Sequence, residues 1–144
     1  MKTTPVPDLP CLCANLRRAS RAITQVYEEA LRPVGLRGSQ FTILQTLSIA
    51  GETTQGQMAH LLAMDSTTLT RTLAIMERQG WIARREGQDR REWRIQMSKA
   101  GKAKFERALP RWEKAQASVR KTLGERRWDE AMQFSNDLTR ALGA

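Results

Sequence analysis

Thr54-Gln55-Gly56-Gln57-Met58-Ala59-His60-Leu61-Leu62-Ala63-Met64-Asp65-Ser66-Thr67-Thr68-Leu69-Thr70-Arg71-Thr72-Leu73-Ala74-Ile75-Met76-Glu77-Arg78-Gln79-Gly80 is the stretch that decides the fold. Thr54 followed by Gln57 is a capping box, in which a hydroxyl and a glutamine satisfy each other's free backbone N–H groups at a helix start. Met58, Ala59, Leu61 and Leu62 then supply core positions on a short helix. Ala63-Met64 reads as a tight turn, and Asp65 or Ser66 as the cap of a second helix, which runs to about Gln79 and stops at Gly80. Two short helices joined by a few residues predict a helix-turn-helix.

The second of these helices has two unlike faces. At about 100° per residue, Leu69, Leu73 and Met76 share one side, while Thr67, Arg71, Ala74 and Arg78 lie within about 40° of the opposite pole and Thr68 and Thr70 flank it. Solvated helix faces usually carry Glu and Lys. A face of hydroxyls, one small residue and two arginines suits a major groove instead. Thr can bond bases or phosphates and touch a thymine methyl, Arg can grip guanine through two hydrogen bonds, and Ala74 permits close approach. Ser66, Thr67, Thr68, Thr70, Arg71 and Arg78 are therefore the expected contact residues of this helix.

Downstream, Trp81–Glu86 and Glu92–Met97 flank Gly87-Gln88-Asp89-Arg90-Arg91. Trp93, Ile95 and Met97 alternate strictly, which predicts a β-hairpin with a charged tip. Arg90 and Arg91 at that tip suit the negative potential of a narrow minor groove. The alternative for the tip is a charged turn that only protects a strand edge.

Long helices are expected on either side. From about Cys11 to Leu31, Leu16, Ala19, Ile23, Val26 and Ala30 form one apolar stripe, which Pro33 and Gly35 end. A helix over Ser39–Ala50 follows. Ser98 caps a long helix with Phe105, Leu109, Trp112, Val119 and Leu123 in register, in which Pro110 predicts a bend near residues 106–110. Beyond Gly124, Trp128, Ala131, Ser135, Leu138 and Leu142 again step by three and four. The middle of the chain cannot cover the terminal seams, so they predict packing on each other and on a second copy, with Trp112 and Trp128 read as interface core. The fold class is mainly α with a small β-hairpin wing (α+β): one domain over 1–144, with dimerisation helices in 1–35 and 98–144 and a winged helix-turn-helix in 36–97. The first eight residues read as an arm.

The chain of 144 residues carries a formal net charge of +9. Residues 66–104 hold ten basic residues against four acidic ones, two thirds of that net charge in about a quarter of the chain. Such a concentration implies an anionic partner, nucleic acid before membrane. No apolar run approaches the roughly 18 residues of a membrane span, and the first residues lack a secretory signal, so a cytoplasmic location and no membrane partner are expected. With one histidine and two cysteines, and no paired carboxylates or glycine-rich phosphate loop, an enzyme is not expected. Neither is a metal site.

The chain resembles the MarR-type winged helix-turn-helix regulators over nearly its whole length. The matching stretches are Leu36–Leu44, Thr54–Ala59, Ser66–Leu73 and Met76–Ile82. The most specific is Asp89-Arg90-Arg91 followed by Ile95-Gln96-Met97-Ser98-Lys99-Ala100-Gly101. Arg37 and Met97-Ser98 depart mildly from the family pattern of Thr and Leu-Thr. The resemblance implies a triangular homodimer, held by the first and last helices, that represses from a palindromic operator on double-stranded DNA. It also implies release by a small phenolic ligand, a metal or an oxidant near the junction of the dimerisation and DNA-binding parts. No cofactor is expected beyond such an effector. The alternative is a winged-helix module that binds nucleic acid or protein without sensing an effector.

Some members of this family place a redox-reactive cysteine near the start of the first helix, and Cys11 and Cys13 resemble them in position. A helix N-terminus favours the thiolate, with Arg17 and Arg18 close by. Cys11 and Cys13 are accordingly the oxidant candidates. The resemblance names no effector-pocket residues.

Overall fold

A computed structural model describes residues 7–143, so most of the expected N-terminal arm lies outside the described residues. The elements in chain order are α1 (Leu12–Leu31), a single 3-10 turn (Arg32–Val34), α2 (Gly38–Ala50), β1 (Thr53–Thr54), α3 (Gln55–Leu62), α4 (Ser66–Arg78), β2 (Ile82–Glu86), β3 (Trp93–Met97), α5 (Lys99–Leu123) and α6 (Glu125–Leu142). The expected mainly α fold with a β wing is the fold observed. No helix of the described residues is long and apolar enough to cross a membrane.

Local chemistry sets most of these boundaries. The Gln57 N–H donates to Thr54 Oγ1 at 3.1 Å, and the Thr54 N–H donates to Gln57 Oε1 at 3.1 Å, closing the capping box of α3. Ala63 ends α3 in the left-handed region, at φ 48° and ψ 41°, which reverses the chain within a few residues. Asp65 then caps α4, accepting from the Thr68 N–H at 2.9 Å and its hydroxyl at 2.6 Å. These two bonds, the hydroxyl's first, hold the Asp65 carboxyl below the usual carboxylate range.

The sheet departs from the expected hairpin. It has three antiparallel strands in the order β1-β3-β2, with Thr53 opposite Ile95 and Thr54 opposite Arg94. Two residues are too short a run for an alternation signal, but Thr53 is buried and its partner lies some forty positions away. In the wing proper, Ile82 pairs with Met97 and Glu86 with Trp93. Leu69, Leu73 and Met76 of α4 are fully buried, beside buried Ile82 and Ile95, so the wing and the second helix of the motif share one core.

A second correction concerns α5. Phe105 and Trp112 lie 5.4 and 5.5 Å from Phe41 of α2, ring centroid to centroid. The first half of the α5 seam therefore packs within its own subunit, and Trp112 is not reserved for a second copy. The helix is continuous through Pro110.

At the start of α5 the Ser98 hydroxyl accepts from the Gly101 N–H at 3.0 Å and donates to the Gly80 carbonyl at 2.5 Å. A Cβ on Gly101 would sit 1.9 Å from the Trp81 carbonyl oxygen. Only glycine lets α5 approach the root of the wing this closely. By contrast, α6 touches α5 and has no buried residue in a single chain.

Candidate nucleic-acid interface

The outer side of α4 follows the helical wheel. Ser66, Thr67, Thr68, Thr70, Arg71 and Arg78 are exposed, and Ala74 is half-buried. Their hydroxyls are not equivalent. Thr68 donates to Asp65. Thr70 donates to the Ser66 carbonyl at 2.7 Å and accepts from Gln55 Nε2 at 2.8 Å. Thr70 is thus a brace between α3 and α4 as well as an exposed group, and Gln55 is a neighbour that the wheel could not identify. The side chain of Thr72, one turn beyond Thr68, is likewise tied to the helix, donating to the Thr68 carbonyl.

Ion pairing sorts the arginines of the basic stretch. Arg84 pairs with Glu77 at 2.8 Å, Arg85 with Glu52 at 2.6 Å and Arg94 with Glu92 at 3.3 Å. Arg84 also lies 5.7 Å from the Trp93 ring centroid, and Lys104 lies 5.1 Å from that of Trp81. Among the described residues, no such ion pair involves Arg71, Arg78, Arg90 or Arg91. Among the described arginines of this stretch, those four are the guanidinium groups left open to an external anion.

Helix α4 and the wing are neighbours. Ser66, the first residue of α4, and Arg91 of the wing line one cleft of about 730 Å³, and Gln55 and Gly56 at the start of α3 also form its wall. The wing tip is tied by the Asp89 carboxylate, which accepts the Arg91 N–H at 3.1 Å. The Gly87 N–H donates to the Glu92 carbonyl at 2.7 Å. Arg90 and Arg91 are thereby held at the end of a closed turn.

A second cavity, of about 710 Å³, lies between α1, α2, the α3–α4 turn and α5. Its walls include Tyr27, Glu28, Phe41, Met64, Trp112 and Gln116. The Tyr27 hydroxyl donates to Gln116 Oε1, joining α1 to α5, and burial pushes the Tyr27 phenol up from its ordinary pKa. Glu28 Oε1 accepts from the Gly38 N–H at 2.7 Å, joining α1 to the first residue of α2. Periodicity had no means of finding this cavity, because its lining comes from four separate elements.

Cys11 precedes α1 and Cys13 lies in its first turn; both thiols are free and exposed. Cys13 also borders an apolar hollow between α1 and α6, with Leu12, Leu16, Leu138 and Leu142. Among the described residues, no group of three or more His, Cys, Asp or Glu side chains could hold a metal ion.

Comparison with known proteins gives a consistent set of matches. The MarR family model matches residues 36–93. The HTH-type transcriptional regulator YwoH of Bacillus subtilis (strain 168) is 34% identical over 95 residues, spanning 66% of this chain and 69% of the relative. The crystal structure of the M. tuberculosis transcriptional regulator MosR in complex with DNA aligns with a TM-score of 0.83 at 35% identity, covering 91% of this chain and 95% of that one. A mutant MarR from E. coli complexed with operator DNA shares the fold, with a TM-score of 0.76 at 22% identity, covering 91% and 93%.

Proposed function

The chain belongs to the MarR family and is a transcriptional regulator, not an enzyme; from that premise we propose that it binds palindromic double-stranded DNA as a homodimer and represses until an effector releases it. Residues 36–97 form the DNA-binding part in this reading. Helix α4 enters the major groove with Ser66, Thr67, Arg71 and Arg78 foremost, and Thr68 and Thr70 at its edges. Arg90 and Arg91 of the wing enter the flanking minor groove. The observation that carries this reading is one cleft bordered by both Ser66 and Arg91, together with four arginines on α4 and the wing that make no ion pair among the described residues. One groove-reading helix and one groove-entering wing on the same side of the molecule is the arrangement that winged-helix docking requires. The DNA complex of MosR supports it by likeness.

Dimerisation through 1–35 and 98–144 is supported by the surface left uncovered. Leu12 is 57% exposed on α1, while Met132, Phe134 and Leu142 are 49%, 47% and 79% exposed on α6. A helix of 18 residues with no buried side chain gains its stability from packing that a single subunit does not supply.

The 710 Å³ cavity is the effector site in this reading. It touches Gly38 and Ser39 at the start of α2, and Leu62 and Met64 just before α4. A ligand there bears on the turn that aims the groove-reading helix. Cys11 and Cys13 offer a second route. Peroxide would oxidise one thiolate to the sulfenic acid, and attack by the other thiol would expel water and form a disulfide. Cys13 borders the α1–α6 hollow, so its oxidation would disturb the helices that build the dimer.

The test is a gel shift on a duplex selected from random sequence. A two-fold dimer needs half-sites about 10 base pairs apart, on one side of the duplex. Binding should fall steeply with salt and be lost when five base pairs are inserted between the half-sites. Unchanged affinity after that insertion would overturn the two-fold model. Equal affinity for single-stranded RNA would favour a general nucleic-acid module.

A further inference from the structure

The charge of the cavity walls points to a particular class of effector. We propose that the cavity prefers a planar aromatic ligand bearing a protonated amine over an aromatic carboxylate, with Glu28 as its ion partner; this rests on the reading of the cavity as the effector site. Among the residues lining it, Glu28 is the one charged side chain, and no Lys, Arg or His contributes. The other polar walls are hydroxyls and an amide, such as Ser20, Thr24, Thr42 and Gln116.

Glu28 has capacity to spare. One carboxylate oxygen, Oε1, holds the Gly38 N–H at 2.7 Å. The other, Oε2, has Arg37 no closer than 3.9 Å, and the Arg37 side chain is 78% exposed. Glu28 also borders the adjoining hollow lined by Arg32 and Arg37, but at that distance and exposure the Arg37 pair is loose and largely screened by water, so an ammonium reaching Glu28 from the cavity meets a carboxylate without a tight ionic partner. The ring of such a ligand has an aromatic surface waiting: Trp112 is half-buried on the wall, backed by Phe41 at an interplanar angle of 25°. Tyr27 adds a second aromatic wall, and a cation near aromatic faces is further favoured. A carboxylate in the same place would lose water without meeting a positive group on the cavity wall, would have only the solvent-screened Arg37 nearby, and would face the charge of Glu28.

The placement also supplies the response. Glu28 joins α1 to the first backbone N–H of α2. A charge-assisted bond on its second oxygen replaces the loose Arg37 contact and draws on the carboxylate that holds Gly38, at the point where the DNA-binding part leaves α1.

Three probes sharing one ring separate the possibilities: naphthalen-2-ylmethylamine, naphthalene-2-methanol and 2-naphthoate. Binding to the full chain is followed by tryptophan fluorescence, and DNA release by gel shift. The amine should bind on the order of tenfold or more tighter than the carboxylate, despite the protein's net charge of +9, which acting alone would favour the anion. Glu28→Gln keeps an oxygen for Gly38 but loses the charge. It should abolish the preference for the amine while the alcohol binds as before. If the carboxylate binds tighter, or if Glu28→Gln leaves the preference intact, the ligand class is wrong although the cavity reading stands. If none of the three binds, the cavity reading falls and this inference with it.

Discussion

Arg84 of β2 grips Glu77 of α4 with two nitrogens, Nε at 2.8 Å and Nη2 at 3.4 Å, and so ties the wing to the second helix of the helix-turn-helix. The hydrogen bond from Arg84 holds the Glu77 carboxyl below its ordinary pKa. A depressed folded-state pKa contributes stability above the unfolded value, about 4.3 for Glu, and that stability is lost as pH falls through the folded value. Glu77→Gln should therefore be less stable than the parent at pH 7, by no more than about 1 kcal/mol because both side chains are partly exposed. The gap should close as pH drops below about 4. Urea melts at pH 7 and pH 3 check this, and a gap that widened in acid would reject the assignment.

Gly101→Ala should destabilise the protein. In an ordinary exposed helix that change gains up to about 1 kcal/mol. Here the added Cβ would stand 1.9 Å from the Trp81 carbonyl oxygen, a backbone atom that cannot swing aside. A loss of about 1–3 kcal/mol is expected from overpacking, with weaker DNA binding because the wing root must move. A denaturation midpoint at or above that of the parent would show that α5 can shift at no cost.

Arg71→Ala and Arg91→Ala should differ in kind. Arg71 sits on the outer pole of α4, so its loss should relax sequence preference and cost roughly 1–3 kcal/mol on the specific site. Arg91 at the wing should weaken specific and random duplexes more evenly. Titrations of both duplexes with both variants read this directly. Parent-like binding by the pair of variants would mean that the docking is wrong.

The protein should be a dimer at micromolar concentration. Light scattering should give about twice the subunit mass of 16.4 kDa. Leu142→Glu, at the most exposed apolar position of α6, should shift the balance toward monomer and weaken operator binding with it. A parent protein that scattered as a monomer would remove the basis for a palindromic operator.

Oxidation should act through the first turn of α1. If it does, peroxide releases the parent from DNA, and Cys13→Ser stays bound under the same treatment. Reductant should restore parent binding, since a disulfide is reversible and higher thiol oxides are not. Equal release of parent and variant would assign the effect elsewhere.

Much of this protein could be read from the chain alone, and the reason is the range of the forces involved. Helix starts at Thr54, Asp65 and Ser98 depend on hydrogen bonds reaching three residues ahead. The face of α4 depends on a period of 3.6, and the wing on a period of 2. Such signals are complete within a few positions, so the order of helices, the helix-turn-helix, the wing and the outward Ser66–Arg78 face were all legible. Features made by distant segments were not. Strand β1 exists because Thr53 meets Ile95. Trp112 turned inward because Phe41 lies beneath it. The basic stretch counted as ten equal charges in sequence, yet Arg84 and Arg85 are answered by Glu77 and Glu52, the latter from outside the stretch altogether. The cavity walled by Tyr27, Glu28 and Trp112 belongs to no single element. Local hydrogen bonding and side-chain period determined which elements form and which faces look outward. Only tertiary packing decided which charges stay free and where a ligand-sized space is left, because both depend on what the chain brings together from far apart.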